Sequence, residues 1–173
     1  MFQDFMNLEI NTLNLVIKKP NKNDISSLVK ELNNWNISKW LVEVPYPYLI
    51  NDAYYWLNKT EENTFSFNIY KKNKLIGGIS LTNKLSDTRW ELGYWIGENY
   101  WGKGYATEAC ENLIEYFFSN TSNNLIHASH MTDNIKSKKI IVKLGFKLVK
   151  AGKKFSISRN EIIDNLNYEL LKP

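Results

Sequence analysis

The chain has 173 residues, of which 43% are hydrophobic and 14% aromatic. This composition is typical of a globular protein with a substantial core and excludes an extensively disordered one; a single domain over residues 1–173 is expected. The formal net charge of +4 comes mainly from scattered lysines, without an arginine-rich block, which argues against a nucleic-acid partner but favours an anionic ligand.

Cysteine, histidine and apolar segments give no sign of secretion, a metal site or a membrane. The single cysteine, Cys110, cannot form an internal disulfide, and His127 and His130 lack nearby cysteine or acidic partners, so no metal is expected. No apolar run reaches membrane-spanning length, and the first residues lack the features of a signal peptide. We therefore expect a cytoplasmic protein that has no membrane partner.

The predicted elements alternate between strands and helices. Strands are predicted from alternating apolar residues, as at Phe65, Phe67 and Ile69, and helices from apolar residues three and four apart. In chain order they are a strand at residues 13–17, helices at 25–32, at 38–42 and from about 51 to 57, strands at 65–69, 75–81 and 89–96, a helix at 107–118, a strand at 125–129, a helix ending at 144, and strands at 146–149 and 166–170.

Short polar side chains and glycines mark the ends of these elements. A helix cap is a side chain that accepts hydrogen bonds from first-turn amides, and the predicted caps are Asn23 or Asp24, Asn51 or Asp52, and Thr132 or Asp133. Gly77-Gly78 should permit a bend or a close backbone approach inside its strand, and Ser86-Asp87 should form a turn. The order of elements predicts an α+β fold, with a mixed, twisted sheet flanked by helices.

The segment Asn99–Ala106 joins a predicted strand to a predicted helix and has the features of a phosphate-binding turn. First-turn amides of a helix have no upstream carbonyl partners, and the helix dipole favours an anion there. Gly102 and Gly104 would let a phosphate approach the backbone, and Lys103 adds positive charge. The segment is neither a Walker A loop nor a Rossmann fingerprint, and a simple tight turn at a helix start remains an alternative.

Two longer blocks carry a resemblance to a known family. From Glu91 to Ala109 the chain reads ELGYWIGENYWGKGYATEA, which resembles the acetyl-CoA-binding core of the GNAT acyltransferases, and specifically of the RimJ/RimL-like branch. The second block, from Asp133 to Phe146, reads DNIKSKKIIVKLGF and follows at the expected distance. Family loops begin with Gln or Arg where this chain has Asn99, a mild departure because the loop works mainly through backbone amides.

The resemblance implies a GNAT-like fold and acetyl-CoA as cosubstrate. The central sheet would be mixed and largely antiparallel, flanked by helices and splayed between the fourth and fifth predicted strands, at residues 89–96 and 125–129. The pantetheine arm of CoA would lie in that splay and the pyrophosphate on the turn. The implied cofactor-binding residues are Tyr94, Trp95, Ile96, Trp101, Gly102, Lys103, Gly104, Tyr105, Ala106, Asn134 and Ser137.

The resemblance also implies two catalytic residues. Many GNATs carry a tyrosine acid where this chain has Ile141, so Ser137 is the candidate donor to the leaving thiolate. Glu91 is the candidate base, because several family members carry a glutamate at this strand. A surface role for Ser137, a capping role for Asn134, and a lysine-paired, solvated Glu91 are the structural alternatives.

The implied activity is transfer of an acetyl group to a primary amine, by direct attack in a ternary complex. A protein N-terminus is the expected acceptor, as in RimJ/RimL-like enzymes. A polyamine or aminoglycoside acceptor, or an acyl-CoA-binding module without catalysis, are the alternatives that the sequence leaves open. It also does not distinguish a monomer from a homodimer.

Overall fold

The computed structural model describes residues 8–60, 65–83 and 89–173, which form one sheet with helices on both faces. The strands are β1 (Glu9–Asn11), β2 (Val16–Lys18), β3 (Phe65–Lys71), β4 (Lys74–Asn83), β5 (Trp90–Ile96), β6 (Leu125–Met131), β7 (Lys147–Ser156) and β8 (Glu161–Leu171). The helices are α1 (Ile25–Leu32), α2 (Trp35–Ser38), α3 (Ile50–Thr60), α4 (Tyr105–Asn120) and α5 (Ile135–Lys143).

The sheet is antiparallel except at its centre. Its strand order is β1-β2-β3-β4-β5-β6-β8-β7, and only β5 and β6 pair in parallel among the described strands. Their pairing is short, because it joins Trp90–Leu92 to Ile126–Ala128 and ends there. From Gly93 onward β5 diverges from β6. The predicted splay is therefore confirmed; the strands predicted as fourth and fifth are β5 and β6, because β1 was not predicted.

Two apolar clusters, one on each face of the sheet, fix the helices around the splay. On the first face, the fully buried Phe117 of α4 packs edge-on against Phe65, with ring centroids 5.3 Å apart, and against Trp90 at 5.1 Å. On the second face, α1 and α3 pack through residues such as Leu28 and Leu57. Burial of this apolar surface is the main force that holds the splayed strands between the helices.

The cysteine and the glycine pair of β4 behave as the sequence predicts. Cys110 is buried in α4, and desolvation by burial raises the pKa of its thiol, so it acts as a packing residue. A Cβ on Gly77 would lie 2.4 Å from the Trp95 carbonyl oxygen, and one on Gly78 would lie 2.5 Å from Trp95 Nε1. Glycine at both positions therefore allows β4 and the Trp95 side chain of β5 to approach closely.

A carboxylate of α4 anchors the loop between β1 and β2. Glu108 accepts hydrogen bonds from Thr12 Oγ1 at 2.6 Å and from the Asn14 backbone N–H at 2.7 Å. Partial burial alone would raise the pKa of Glu108, but these hydrogen bonds and the attraction of Lys71 outweigh it and lower that pKa. The loop is thus fixed to α4 by an ionised carboxylate.

Two predicted elements near the N-terminus were displaced. Leu13 is 93% exposed and lies in the loop between β1 and β2, so the predicted strand at 13–17 begins only at Val16. The short helix predicted at 38–42 is α2, at residues 35–38. It begins earlier because the Asn34 side chain accepts from the Asn36 N–H at 2.9 Å and caps it.

The predicted caps were right in position at α1 and wrong at the other helices. Asp24, one of the two predicted alternatives, is the N-cap residue of α1, but its side chain makes no capping hydrogen bond there; Asn21 caps the preceding 3₁₀ turn, with its side chain accepting from the Asn23 N–H at 2.9 Å. Asp52 lies inside the first turn of α3 and accepts from the Leu49 N–H at 2.7 Å. For α5 the cap is Asn134, rather than Thr132 or Asp133. In each case several polar residues adjoin the helix start, and pattern alone does not choose among them.

The last two strands are much longer than predicted. Strands β7 and β8 extend to residues 156 and 161 and are joined by a tight turn at residues 157–160. Strand β7 carries many lysines and is exposed over most of its length, so its sequence lacks the alternation that marks a half-buried strand. The predicted turn at Ser86-Asp87 lies outside the described residues.

Candidate active site

The splay between β5 and β6 exposes one edge of β5. The Gly97 N–H bonds to the Ile76 carbonyl oxygen of β4 at 2.7 Å, so the backbone groups of Gly97 point toward β4. Because backbone groups alternate along a strand, those of Tyr94 and Ile96 point the other way, into the splay. The Ile96 carbonyl already accepts from the Trp101 indole Nε1–H at 2.6 Å. The backbone N–H and C=O of Tyr94 are therefore oriented to pair with an extended ligand that carries amide groups.

The turn predicted to bind phosphate closes one end of the splay. Gly102 and Gly104 have φ values of +74° and +81°, which glycine adopts without strain, and neither would bring a Cβ within 4 Å of another protein atom. Gly104 is the N-cap of α4 and contributes no side-chain cap, so no side chain covers the amides that begin with Tyr105 and Ala106. The turn is an open concavity of amide donors, which fits an anion.

Lysine side chains surround this turn. Lys103 is exposed and folds back, with its Nζ donating to the Asn99 carbonyl oxygen at 3.0 Å. Lys136, from α5, places its Nζ 4.2 Å from the centroid of the Trp101 ring. Because these cations flank a helix N-terminus, the local field favours a doubly charged ligand such as a pyrophosphate.

The first turn of α5 forms the opposite wall of the splay. The Asn134 side-chain oxygen accepts from the Ser137 N–H at 3.1 Å, which is the capping role that the sequence left open. Its amide nitrogen is the group that remains to face a ligand. Ser137 Oγ lies 2.9 Å from the Tyr94 hydroxyl of β5, so a hydrogen bond joins the two walls. Ile141, one turn further along α5, is buried in the core and offers no donor.

Glu91 lies on the other face of the sheet, where the splay begins. Its Oε1 accepts from Lys154 Nζ at 2.7 Å and from Ser129 Oγ at 2.8 Å. The side chains of Glu91 and Lys154 are 24% and 28% exposed, so the ion pair is partly shielded from water. The lysine-paired alternative is therefore present. The pair is also located on the face that opens toward α1 and α2.

Sequence reasoning missed Lys154 and Ser129. No pattern in the sequence links Lys154 to Glu91, 63 residues away. The same face continues into β8, where Asn165 is 2% exposed and its Nδ2 donates to Asn167 Oδ1 at 3.0 Å. Four strands, β5 to β8, thus contribute to a polar surface beside the splay.

The turn between β7 and β8 is hydrogen-bonded to α2 and to the loop after it. The Ile157 N–H donates to the Val42 carbonyl oxygen at 2.9 Å. Ser158 Oγ donates to the Ser38 carbonyl oxygen at 2.8 Å, and Arg159 Nε donates to a further carbonyl of this segment, that of Lys39, at 2.9 Å. We call this set of contacts the roof. A pocket of about 290 Å³, lined in part by Trp40, Trp101 and Asn134, lies beside it.

Glu98 has a structural partner rather than a catalytic one. Its two carboxylate oxygens accept from Asn34 Nδ2 at 2.7 Å and from Asn36 Nδ2 at 2.9 Å. These bonds connect the segment before the phosphate-binding turn to the start of α2. We therefore assign Glu98 a structural role, and Glu91 remains the candidate base.

The described residues contain neither a metal-binding cluster nor a membrane-spanning helix. No group of three or more His, Cys, Asp or Glu side chains in residues 8–60, 65–83 and 89–173 is placed to hold a metal ion. Over the same ranges, no helix combines the length and apolar character needed to cross a membrane.

Comparisons with known proteins identify the family. The family model for the acetyltransferase (GNAT) domain matches residues 14–147. An uncharacterized N-acetyltransferase, p20 of Bacillus licheniformis, is 27% identical over 172 residues, covering 93% of this chain and 94% of the relative.

Two solved structures share the fold. A RimL ribosomal-protein acetyltransferase in complex with coenzyme A has a TM-score of 0.83 and 15% identity, covering 95% of this chain and 98% of that one. The microcin self-immunity acetyltransferase MccE, solved with acetyl-CoA and AMP, has a TM-score of 0.79 and 22% identity, covering 92% of this chain and 93% of that one.

Proposed function

Because the chain belongs to the GNAT family of acetyltransferases, which use acetyl-CoA, we propose that it transfers acetyl directly to the N-terminal amine of a protein while both substrates are bound. The observation that carries this proposal is the splay between β5 and β6. It opens a passage through the sheet, with the phosphate-binding turn at one end and an acidic group on the acceptor face. Thioester and amine can therefore meet without a covalent enzyme intermediate.

The residues around the splay fit the cofactor. Amides from Trp101 to Ala106 hold the pyrophosphate in the concavity at Gly102 and Gly104. The pantetheine arm extends along Tyr94, Trp95 and Ile96, where its amides pair with the exposed edge of β5. The Asn134 amide nitrogen donates to the same arm, while its oxygen caps α5.

Glu91 is proposed to accept the proton that the amine must lose. An N-terminal ammonium has a pKa of about 8 and attacks only as the neutral amine. The Glu91 carboxylate lies on the acceptor face, fixed there by Lys154 and Ser129. Glu91 receives the proton directly or through an intervening water.

Ser137 is proposed to stabilise the departing thiolate. It belongs to the first turn of α5 and is half-buried at the wall of the splay. Negative charge develops on sulfur as the carbon–sulfur bond breaks, and an oriented hydroxyl donor there lowers the barrier. The charge on the carbonyl oxygen is stabilised by backbone amides of the β5 edge.

Three observations bear on the acceptor. RimL, which acts on a ribosomal protein, has the same fold over 98% of its length, and this supports a protein N-terminus. The roof narrows the acceptor side, so an extended chain end or a small amine is accommodated better than a folded surface. The MccE structure holds a small molecule, AMP, together with acetyl-CoA, and on this ground a small-molecule amine is the second candidate.

A turnover screen tests the proposal. Release of CoA thiol from acetyl-CoA is measured with peptides bearing a free N-terminus, with polyamines and with aminoglycosides, and products are located by mass spectrometry. We expect acetylation of the peptide α-amine and none of the same peptide with a blocked N-terminus. Turnover confined to small amines would select the second candidate. CoA binding without turnover of any amine tested would indicate an acyl-CoA-binding module without catalytic activity.

A further inference from the structure

Ser137, the proposed hydrogen-bond donor to the departing thiolate, is itself in contact with the hydroxyl of Tyr94. The Tyr94 hydroxyl lies 2.9 Å from Ser137 Oγ and 3.4 Å from the Ser137 carbonyl oxygen. Tyr94 is on β5 and Ser137 is on α5, so the contact crosses the splay. Any pantetheine arm that follows the β5 edge must pass beside it.

Either hydroxyl can donate in this contact, and we assign Tyr94 as the donor because a phenol is more acidic than an aliphatic alcohol. Desolvation by burial raises the pKa of Tyr94, so its phenol keeps its proton at neutral pH. A helical serine otherwise tends to donate to the carbonyl four residues earlier, which turns its proton away from a ligand. When Tyr94 donates to Ser137 Oγ, it fixes that oxygen at the wall of the splay and makes the serine hydroxyl a better donor.

Resting on the proposed function, we infer that Tyr94 is a positioning residue that acts through Ser137, orienting the serine hydroxyl toward the sulfur of acetyl-CoA. Where many GNATs carry a tyrosine acid, this chain has Ile141, which is buried and cannot donate a hydrogen bond. The hydroxyls of Tyr94 and Ser137, one from each wall of the splay, take the place of that tyrosine.

The step balances without an added reagent. The amine nitrogen forms a bond to the acetyl carbon, and the carbon–sulfur bond breaks with its electron pair leaving on sulfur. Ser137 donates a hydrogen bond to that sulfur but keeps its proton, and Tyr94 keeps its own. The proton lost by the amine, through Glu91 or water, balances the one that the thiolate finally takes from solvent.

Single-turnover kinetics of Tyr94→Phe, Ser137→Ala and the double variant test this inference. Phenylalanine keeps the ring and removes only the hydroxyl, so the backbone edge offered to CoA is retained. We expect Tyr94→Phe to slow acetyl transfer about tenfold and Ser137→Ala roughly a hundredfold, each with CoA affinity near wild type. The double variant should be no slower than Ser137→Ala, because Tyr94 acts only through the serine. Ser137→Thr, which keeps a hydroxyl, should restore most of the rate.

Tyr168→Phe is the matched control. Tyr168 is also a buried tyrosine whose hydroxyl bonds a side chain, His130 Nε2 at 3.0 Å, but it lies on β8, which β6 separates from β5. Its variant should keep the wild-type rate, which separates loss of a catalytic contact from loss of a buried hydroxyl.

Other outcomes have distinct meanings. A wild-type rate for Tyr94→Phe, losses that add in the double variant, or weakened CoA binding by Tyr94→Phe would each overturn the inference while leaving the proposed function intact. Absence of turnover by the wild-type protein with every amine would instead overturn the proposed function. Should Tyr94→Phe fail to fold, a Ser137→Thr rate as low as that of Ser137→Ala would itself overturn the inference.

Discussion

A substitution at Gly104 tests the proposed binding of phosphate by the turn separately from the stability of the turn. The residue has a φ of +81°, and a Cβ there would meet no protein atom within 4 Å. Replacing it with aspartate therefore costs only the left-handed backbone conformation, roughly 1 kcal/mol for a residue that tolerates it. For a chain of this size the melting temperature should fall by only about 2–4 °C.

The same substitution should be severe for the cofactor. The new carboxylate would stand in the concavity where the pyrophosphate is proposed to bind. Two like unit charges 4 Å apart repel by roughly 4 kcal/mol at the effective dielectric of a protein surface. Even with solvent screening and adjustment of the ligand, about 2.7 kcal/mol should remain, which corresponds to a hundredfold weaker CoA complex.

Calorimetric titration with CoA, together with thermal unfolding, measures both quantities. Gly145→Asp is the matched control: Gly145 has a φ of +89°, and its nearest contact for a Cβ is Leu170 Cδ1 at 3.6 Å. It follows α5 at the end opposite Asn134, so its variant should lose similar stability and keep CoA affinity. Gly104→Ala separates the steric part of the effect from the charge. A folded Gly104→Asp protein that binds CoA like wild type would refute the assignment of the turn.

Three further predictions concern carboxylates and the roof. Glu91→Gln should slow transfer near neutral pH and lose less at high pH, where the neutral amine is abundant; a pH–rate profile that overlays wild type would exclude Glu91 as the base. Glu108→Gln should destabilise the fold at pH 7 by about 1 kcal/mol after solvent screening. Because folding lowers the pKa of Glu108, this deficit should be present above about pH 4.3 and vanish as pH falls through the folded-state pKa, which thermal unfolding across pH checks. Arg159→Ala should raise KM for the amine several-fold and leave CoA affinity unchanged, because it removes the bond to the Lys39 carbonyl. Lys153→Ala, which removes an exposed ion pair, is its control. Equal KM values for the two variants would show that the roof does not contribute to acceptor binding.

Local features of the fold could be predicted because their causes lie close together in sequence. Gly102 and Gly104 permit the left-handed conformations of the turn, and the apolar spacing of α4 specifies the face that it buries. Alternation located the central strands for the same reason. The predicted bounds were wrong where several polar residues could begin a helix, as at the start of α2. They were also wrong where many lysines obscure the alternation of apolar residues, as in β7.

The features of the candidate site also fall into those set by nearby residues and those set by tertiary contacts. The sequence alone predicted the glycine turn before α4 and its left-handed conformations, since the proposed phosphate donors are consecutive backbone amides whose geometry is set within a few residues. Only the tertiary structure decided that Glu91 pairs with Lys154 and Ser129, and that Tyr94 bonds to Ser137. These contacts join residues 38 to 63 positions apart, and they depend on strand register and on the divergence of β5 from β6. Register is set by how both faces of the sheet pack, which the pattern of one segment does not encode.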